Sequence, residues 1–152
     1  KMIESAIKIL KGEKIIDQSD IDIDIGIYGF IPEEIIPQAE LRLSIYKEIS
    51  SIKENKSLEQ NKKDFIDRFG HVTPEIINLY ELSKLKNIAR RLNIISIKYR
   101  DENFSLKLAD NSRLVPPSSQ IREIKVSAKD IKSDRLTFIM SKLESFLDKN
   151  EK

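Results

Sequence analysis

Few side chains in this sequence could do chemistry, and their spacing excludes most reactions. The only glycines are Gly12, Gly26, Gly29 and Gly70. They fit neither G-x-x-x-x-G-K-[ST] nor G-x-G-x-x-G, so no loop can cradle a nucleotide phosphate and ATP hydrolysis by this chain is not expected. The single histidine, His71, follows Gly70 and reads as a solvent-facing loop residue. No serine sits in a nucleophile-elbow setting that it could serve. Without cysteine there is neither a disulfide framework nor a Cys/His zinc site. Asp22 and Asp24 could offer oxygens to a divalent cation, but Mg²⁺ and Ca²⁺ need further converging oxygens. They read instead as the wet face of a strand. No catalytic, cofactor-binding or metal-binding residue is expected, and the chain is not expected to be an enzyme by itself.

Two charged groups remain. Lys84, Lys86, Arg90 and Arg91, with Lys98 and Arg100, could touch phosphates. They also suit the solvated side of a helix whose C-terminal dipole favours Arg90 and Arg91. Asp64 and Asp67 fall on the side of their helix opposite Leu58, Phe65, Ile66 and Phe69, at about 100° per residue. Both stand toward the C-terminal half, where the dipole disfavours negative charge. Arg68, four residues after Asp64, offsets part of that. The residues alone leave two readings: a surface ion pair worth about 0–1 kcal/mol, or a docking face for a basic partner.

The elements that must position these groups follow from periodicity. Met2, Ile3, Ala6, Ile7 and Leu10 have helical spacing that Gly12 ends. Ile21, Ile23, Ile25 and Ile27 alternate with Asp20, Asp22, Asp24 and Gly26, predicting a strand with one acidic face. Pro32 and Pro37 bracket a short turn. Leu41, Ile45, Ile49 and Ile52 make a helical stripe beside Arg42 and Tyr46. A second helix is expected to start at Ser57, with Gln60 completing a capping box, and to end at a left-handed Gly70. Thr73 and Pro74 supply the cap and first residue of a third helix running to about Leu92. Ile95, Ile97 and Tyr99, then Phe104, Leu106 and Leu108, alternate around Asp101-Glu102 as a hairpin. Past Pro116 the pattern is ambiguous: Leu136, Phe138 and Met140 suit a strand, whereas Ile139, Leu143, Phe146 and Leu147 suit a helix. The fold class expected is α+β, with helices packed on a small, mostly antiparallel sheet in a single domain over 1–152.

Composition agrees with a folded, water-soluble chain. Of 152 residues, 39% are hydrophobic and 34% charged, enough for one core. Net charge is only +2, from 27 basic and 25 acidic residues. A domain gripping a nucleic-acid backbone usually carries a clear basic excess, so direct DNA binding is not expected. No apolar run approaches a membrane span. Lys8, Lys11 and Glu13 interrupt any signal-peptide core. A start at Lys1 suggests a fragment of a longer protein, and the lack of Cys is compatible with the cytoplasm.

The order Leu41-Arg42-Leu43-Ser44-Ile45-Tyr46-Lys47, then Asp64-Phe65-Ile66-Asp67-Arg68-Phe69-Gly70, then Thr73-Pro74-Glu75 resembles the carboxy-terminal domain of bacterial transcription-repair coupling factors. The resemblance covers about Met2 to Leu108. Thr73 replaces a frequent Pro, Asn93 replaces a common Gly, and Pro116–Asp134 does not match. It implies a regulatory domain of a multidomain, ATP-dependent DNA translocase whose motor lies outside this chain. It also implies docking onto the UvrB-like N-terminal module of the same parent, which conceals the surface that recruits UvrA and restrains the motor until RNA polymerase is engaged. Asp64 and Asp67 match positions that contribute to that docking, with Arg68 beside them. The alternative is a nucleic-acid-binding accessory module.

Overall fold

A computed structural model describes residues 21–70, 72–110, 112–116, 120–131 and 133–150. The helix expected at Met2–Leu10 and the loop position of His71 lie outside them. Two compact units divide the chain, one holding Tyr28–Lys84 and the other Ile21–Ile27 with the residues from Leu85 onward. Together they contain four helices and a four-stranded mixed sheet among the described residues, so the α+β expectation holds.

The first unit is helical. Helix α1 (Ala39–Ser51) buries Ile45 and Ile49, the centre of the predicted stripe. Helix α2 (Asn55–Phe69) buries Leu58 and Phe65. Helix α3 (Pro74–Arg91) brings Ile76 and Tyr80 to the same core, closed by Ile31 and Ile36 from the preceding loop. Phe65 stands edge-on to Tyr80 with ring centroids 6.4 Å apart, a favoured aromatic geometry. The turn expected between Pro32 and Pro37 is present, with the Ile35 and Ile36 amides both donating to the Pro32 carbonyl.

Helix boundaries test the capping arguments. Thr73 caps α3 as expected, its hydroxyl accepting from the Ile76 amide at 3.3 Å. Gly70 ends α2 at φ 86°, its N–H bonded to the Ile66 carbonyl at 2.8 Å. The Ser57–Gln60 capping box does not form. Glu54 holds the extended backbone that an N-cap requires, and its carbonyl accepts from the Leu58 amide. Ser57 therefore already lies within the helix, and Gln60 turns to Asp64 instead.

The second unit is built on the sheet, in the order β1-β2-β3-β4. Strands β2 (Ile94–Arg100) and β3 (Asn103–Leu108) form the predicted antiparallel hairpin. Its two-residue turn puts both Asp101 (φ 54°) and Glu102 (φ 61°) in the left-handed region, the I′ geometry that suits strand twist. Asn93 tolerates φ 57° where the helix gives way to the strand. Strand β1 (Asp22–Asp24) pairs in parallel with β2, and β4 (Glu123–Ser127) pairs antiparallel with β3.

Two expectations for this unit are corrected, and the ambiguity beyond Pro116 is resolved in favour of a helix. The alternation of Ile21 to Ile27 predicts a longer strand than β1, but Gly26 turns at φ 77° and the Ile25 carbonyl accepts from Arg135. The register of β2 shifts between Ile94 and Ser96, so Ile94 takes the buried place and Ile95 is left 44% exposed. Leu136, Phe138 and Met140 belong to helix α4 (Arg135–Asn150), not a strand. Asp134 caps that helix, its carboxylate accepting from the Thr137 amide at 2.8 Å. Leu136, Ile139 and Leu143 are its buried residues.

Candidate functional site

Helix α2 decides where the predicted site residues point. Its sequence has apolar residues on one side only, so burial of Leu58 and Phe65, with Ile66 and Phe69 half-buried, fixes its rotation. Asp64, Asp67 and Arg68 are consequently all exposed. The two aspartates lie one turn apart in the last two turns of the helix.

The surface ion pair between Asp64 and Arg68, one of the two readings of these residues, is not formed. Arg68 lies over the Phe69 ring, 5.0 Å from its centroid, and Asp64 accepts from Gln60 Nε2 at 3.0 Å. Lys63 is four residues before Asp67, the weaker order for a helical pair. Among the described residues no cation is within ion-pair distance of either aspartate. Two carboxylates thus stand near the negative end of a helix dipole with no counter-ion among the described residues. The field of Asp64 reaches inward. Tyr80 has its phenol held above the ordinary range, first by burial and then by the negative charges of Glu48 and Asp64.

The basic residues are differently placed. Lys84 bonds to Glu59 and also to Glu81, at 3.0 Å. Lys62 lies 3.3 Å from the same Glu59. Burial works against the Lys84 charge, but its bonds to Glu59 and Glu81 outweigh that and raise its pKa. The Lys84 ammonium in turn holds the Glu59 carboxyl below the usual range. Arg90 donates to Asn87, and Lys98 lies 4.0 Å from Asp22. Lys86 and Arg91 also have partners within the molecule. Asp22 and Asp24 are exposed on β1, as the alternation predicts.

Sequence reasoning missed what Arg42 and Tyr46 do. Arg42 Nη1 donates to the carbonyls of Ile36 (2.8 Å) and Pro37 (3.0 Å). The Tyr46 hydroxyl accepts from the Ile31 amide at 2.8 Å. Side chains one turn apart on α1 therefore strap down the loop before it, and only their helical spacing signalled a shared task. Reasoning from periodicity also missed Tyr28 and Phe30 on that loop, 71% and 47% exposed.

Comparison with known proteins bears on the chain as a whole. The model of the TRCF domain matches residues 25–119. The transcription-repair-coupling factor of Rickettsia conorii is 29% identical over 152 residues, covering 99% of this chain and 13% of that protein. The factor of Rickettsia typhi is 29% identical over 114 residues, covering 74% of this chain and 10% of that protein. The Escherichia coli factor is 26% identical over 121 residues, covering 76% and 10%. The chain thus spans about a tenth of the length of these relatives. A crystal structure of the C-terminal domain of transcription-repair coupling factor has the same fold, with a TM-score of 0.71 and 18% identity over 85% of this chain and 92% of that one.

Proposed function

The chain belongs to the TRCF domain family of transcription-repair coupling factors, and from that premise we propose that it is the autoinhibitory domain of its parent protein. On this reading the parent is an ATP-dependent DNA translocase of the bacterial cytoplasm. This domain docks on the parent's UvrB-like N-terminal module. Docking masks the surface that recruits UvrA in transcription-coupled excision repair, and restrains the motor until RNA polymerase is engaged. Asp64 and Asp67 supply charge to the docking face, and Arg68 flanks them.

The observation that carries this reading is the pair of exposed aspartates with no cation among the described residues to neutralise them. Asp64 is met only by the neutral amide of Gln60, so both charges are available to a basic neighbour. Interfaces between domains of one chain are commonly polar and modest in area, which suits a contact that must release. The accessory nucleic-acid module has less support, because Lys84 is committed to Glu59 and Glu81 and Lys98 lies beside Asp22.

The test is charge reversal in the full-length parent. Asp64→Arg with Asp67→Arg is expected to leave this domain folded while raising UvrA binding and basal ATPase activity. A pull-down of this domain with the N-terminal half of the parent should lose its signal in the same variant. Unchanged UvrA binding, ATPase and pull-down would remove these residues from the docking face. A duplex DNA titration of the chain should be flat, and affinity falling steeply with salt would favour the nucleic-acid module instead.

A further inference from the structure

We propose that Tyr28, Phe30 and Ile77 form a second docking surface, whose occupant is a protein segment with apolar side chains flanked by lysines or arginines. All three are large hydrophobic residues left exposed, at 71%, 47% and 41%. All three lie in the first unit, where loop and helix meet. The Phe30 amide donates to the Glu75 carbonyl at 3.1 Å, and Asn78 Nδ2 donates to the Tyr28 carbonyl at 3.3 Å. Ile77 lies between those two helical anchors in sequence.

The loop is held, not merely exposed. A Cβ at Gly29 would stand 2.3 Å from the Leu79 nitrogen, so only glycine lets this backbone lie against α3. Ile31 is fixed by Tyr46, and Ile36 and Pro37 by Arg42, on the other side of the aromatics. An apolar loop free to choose would bury its rings. Here the backbone is pinned while the rings stay in water, and grouped exposed aromatics of this kind mark interaction surfaces.

Charge selects the occupant. Residues 28–41 and 74–80 contain no Lys or Arg, but they contain Glu33, Glu34, Glu40 and Glu75. Glu33 and Glu34 are exposed, three and four residues past Phe30. Arg42, the next cation along the chain after Phe30, is turned to the loop carbonyls and lies 4.0 Å from Glu33. An apolar centre with an acidic rim complements an apolar segment with a basic rim.

The proposal is independent of the Asp64–Asp67 reading, and one titration separates them. The 152-residue chain, isotopically labelled, is titrated with a synthetic amphipathic helix carrying leucine on one face and lysine on the other. Chemical-shift changes should centre on Tyr28, Phe30 and the Ile77 methyls. Tyr28→Ser with Phe30→Ser, checked by its unchanged melting curve, should weaken binding roughly tenfold or more, the scale of a lost anchor. The same peptide with glutamate for lysine should bind roughly tenfold more weakly. Asp64→Arg with Asp67→Arg should change neither result. Shifts centred on Asp64 and Asp67, equal binding of both peptides, or no binding would each overturn the proposal. So would sedimentation showing that a second copy of the chain covers these residues.

Discussion

Gly29 and Gly70 are both required by the fold, but for opposite physical reasons, and substitutions can tell them apart. At Gly29 the backbone φ is ordinary and the obstacle is space: a new Cβ would meet the Leu79 nitrogen at 2.3 Å, its Cα at 2.4 Å and the Asn78 carbonyl carbon at 2.8 Å. These are backbone atoms of a helix and cannot swing aside. The loop must retreat until contact reaches the ordinary 3.4 Å or more. That movement breaks the 3.1 Å Phe30–Glu75 and 3.3 Å Asn78–Tyr28 bonds. Two hydrogen bonds at about 0.5–1.5 kcal/mol each set the loss. The alanine's effect on the unfolded chain returns about 0.4–1 kcal/mol. Gly29→Ala should therefore cost about 1–2 kcal/mol, more if Ile31 leaves the core with the loop.

At Gly70 nothing lies within 4 Å of the new Cβ, but φ is 86°. Alanine there meets the left-handed penalty of about 1–2 kcal/mol. The two alanine variants thus have similar costs, and asparagine separates them. Asn tolerates the left-handed region, so Gly70→Asn should recover most of the loss. Gly29→Asn should be at least as damaging as Gly29→Ala, because a longer side chain relieves no clash. Urea unfolding followed by circular dichroism gives the four stabilities, and amide exchange at Phe30 and Ile31 locates the damage. A Gly29→Asn protein as stable as Gly70→Asn would refute the steric argument.

Neutralising the proposed docking face should stabilise the isolated chain: Asp64→Asn and Asp67→Asn each remove a negative charge near a helix C-terminus, for about 0.3–1 kcal/mol in thermal melts. Arg135→Met keeps the side-chain bulk but loses the cation over the Tyr99 ring, 4.1 Å from its centroid, and the 3.1 Å bond to the Ile25 carbonyl. A cost of about 1–3 kcal/mol by urea unfolding is expected, and Arg135→Lys should not restore it fully. Asp134 is held below its ordinary pKa of 3.8, chiefly by the Thr137 amide, so its cap stabilises above that pH and the contribution is lost as pH falls through the lower folded value. Asp134→Ala should cost about 1 kcal/mol at neutral pH and flatten that part of the acid titration. Tyr80 has the opposite sense: burial keeps its phenol neutral past the ordinary 10, so stability falls as pH rises above 10, and Tyr80→Phe should remove that slope in alkaline melts.

Legibility of the sequence followed the range of the forces involved. Caps at Thr73 and Gly70 and the Asp101-Glu102 turn depend on near neighbours, and local pattern found them. The exposure of Asp64 and Asp67 was also legible, since Leu58 and Phe65 dictate which side of α2 is buried. Failures came where a distant partner intervened, or where a bulge or an earlier helix start shifted the frame. The short β1 reflects Gly26 and the reach of Arg135 to the Ile25 carbonyl, which no local window contains. Ile95 was misassigned because a bulge in β2 shifts alternation by one residue. Ser57 and Gln60 made a plausible box, but the helix had already begun at Asn55. Arg42 and Tyr46 were visible as a spaced pair, yet their acceptor and donor lie on a loop whose path is set by α3.

The electrostatics of α2 also bound how strong the proposed latch can be. Each exposed aspartate meeting a cation is worth about 0–1 kcal/mol, and relief of the dipole cost adds about 0.3–1 kcal/mol each. Two such contacts give at most about 4 kcal/mol before losses of side-chain freedom. A bias of that size keeps the closed form dominant, yet it lies within what differential binding of another ligand can reverse. The same reasoning limits range, since at physiological ionic strength charges more than about 8 Å apart are largely screened. Asp64 and Asp67 therefore suit setting orientation and release at contact distance, while any tighter hold must come from apolar area elsewhere on the interface.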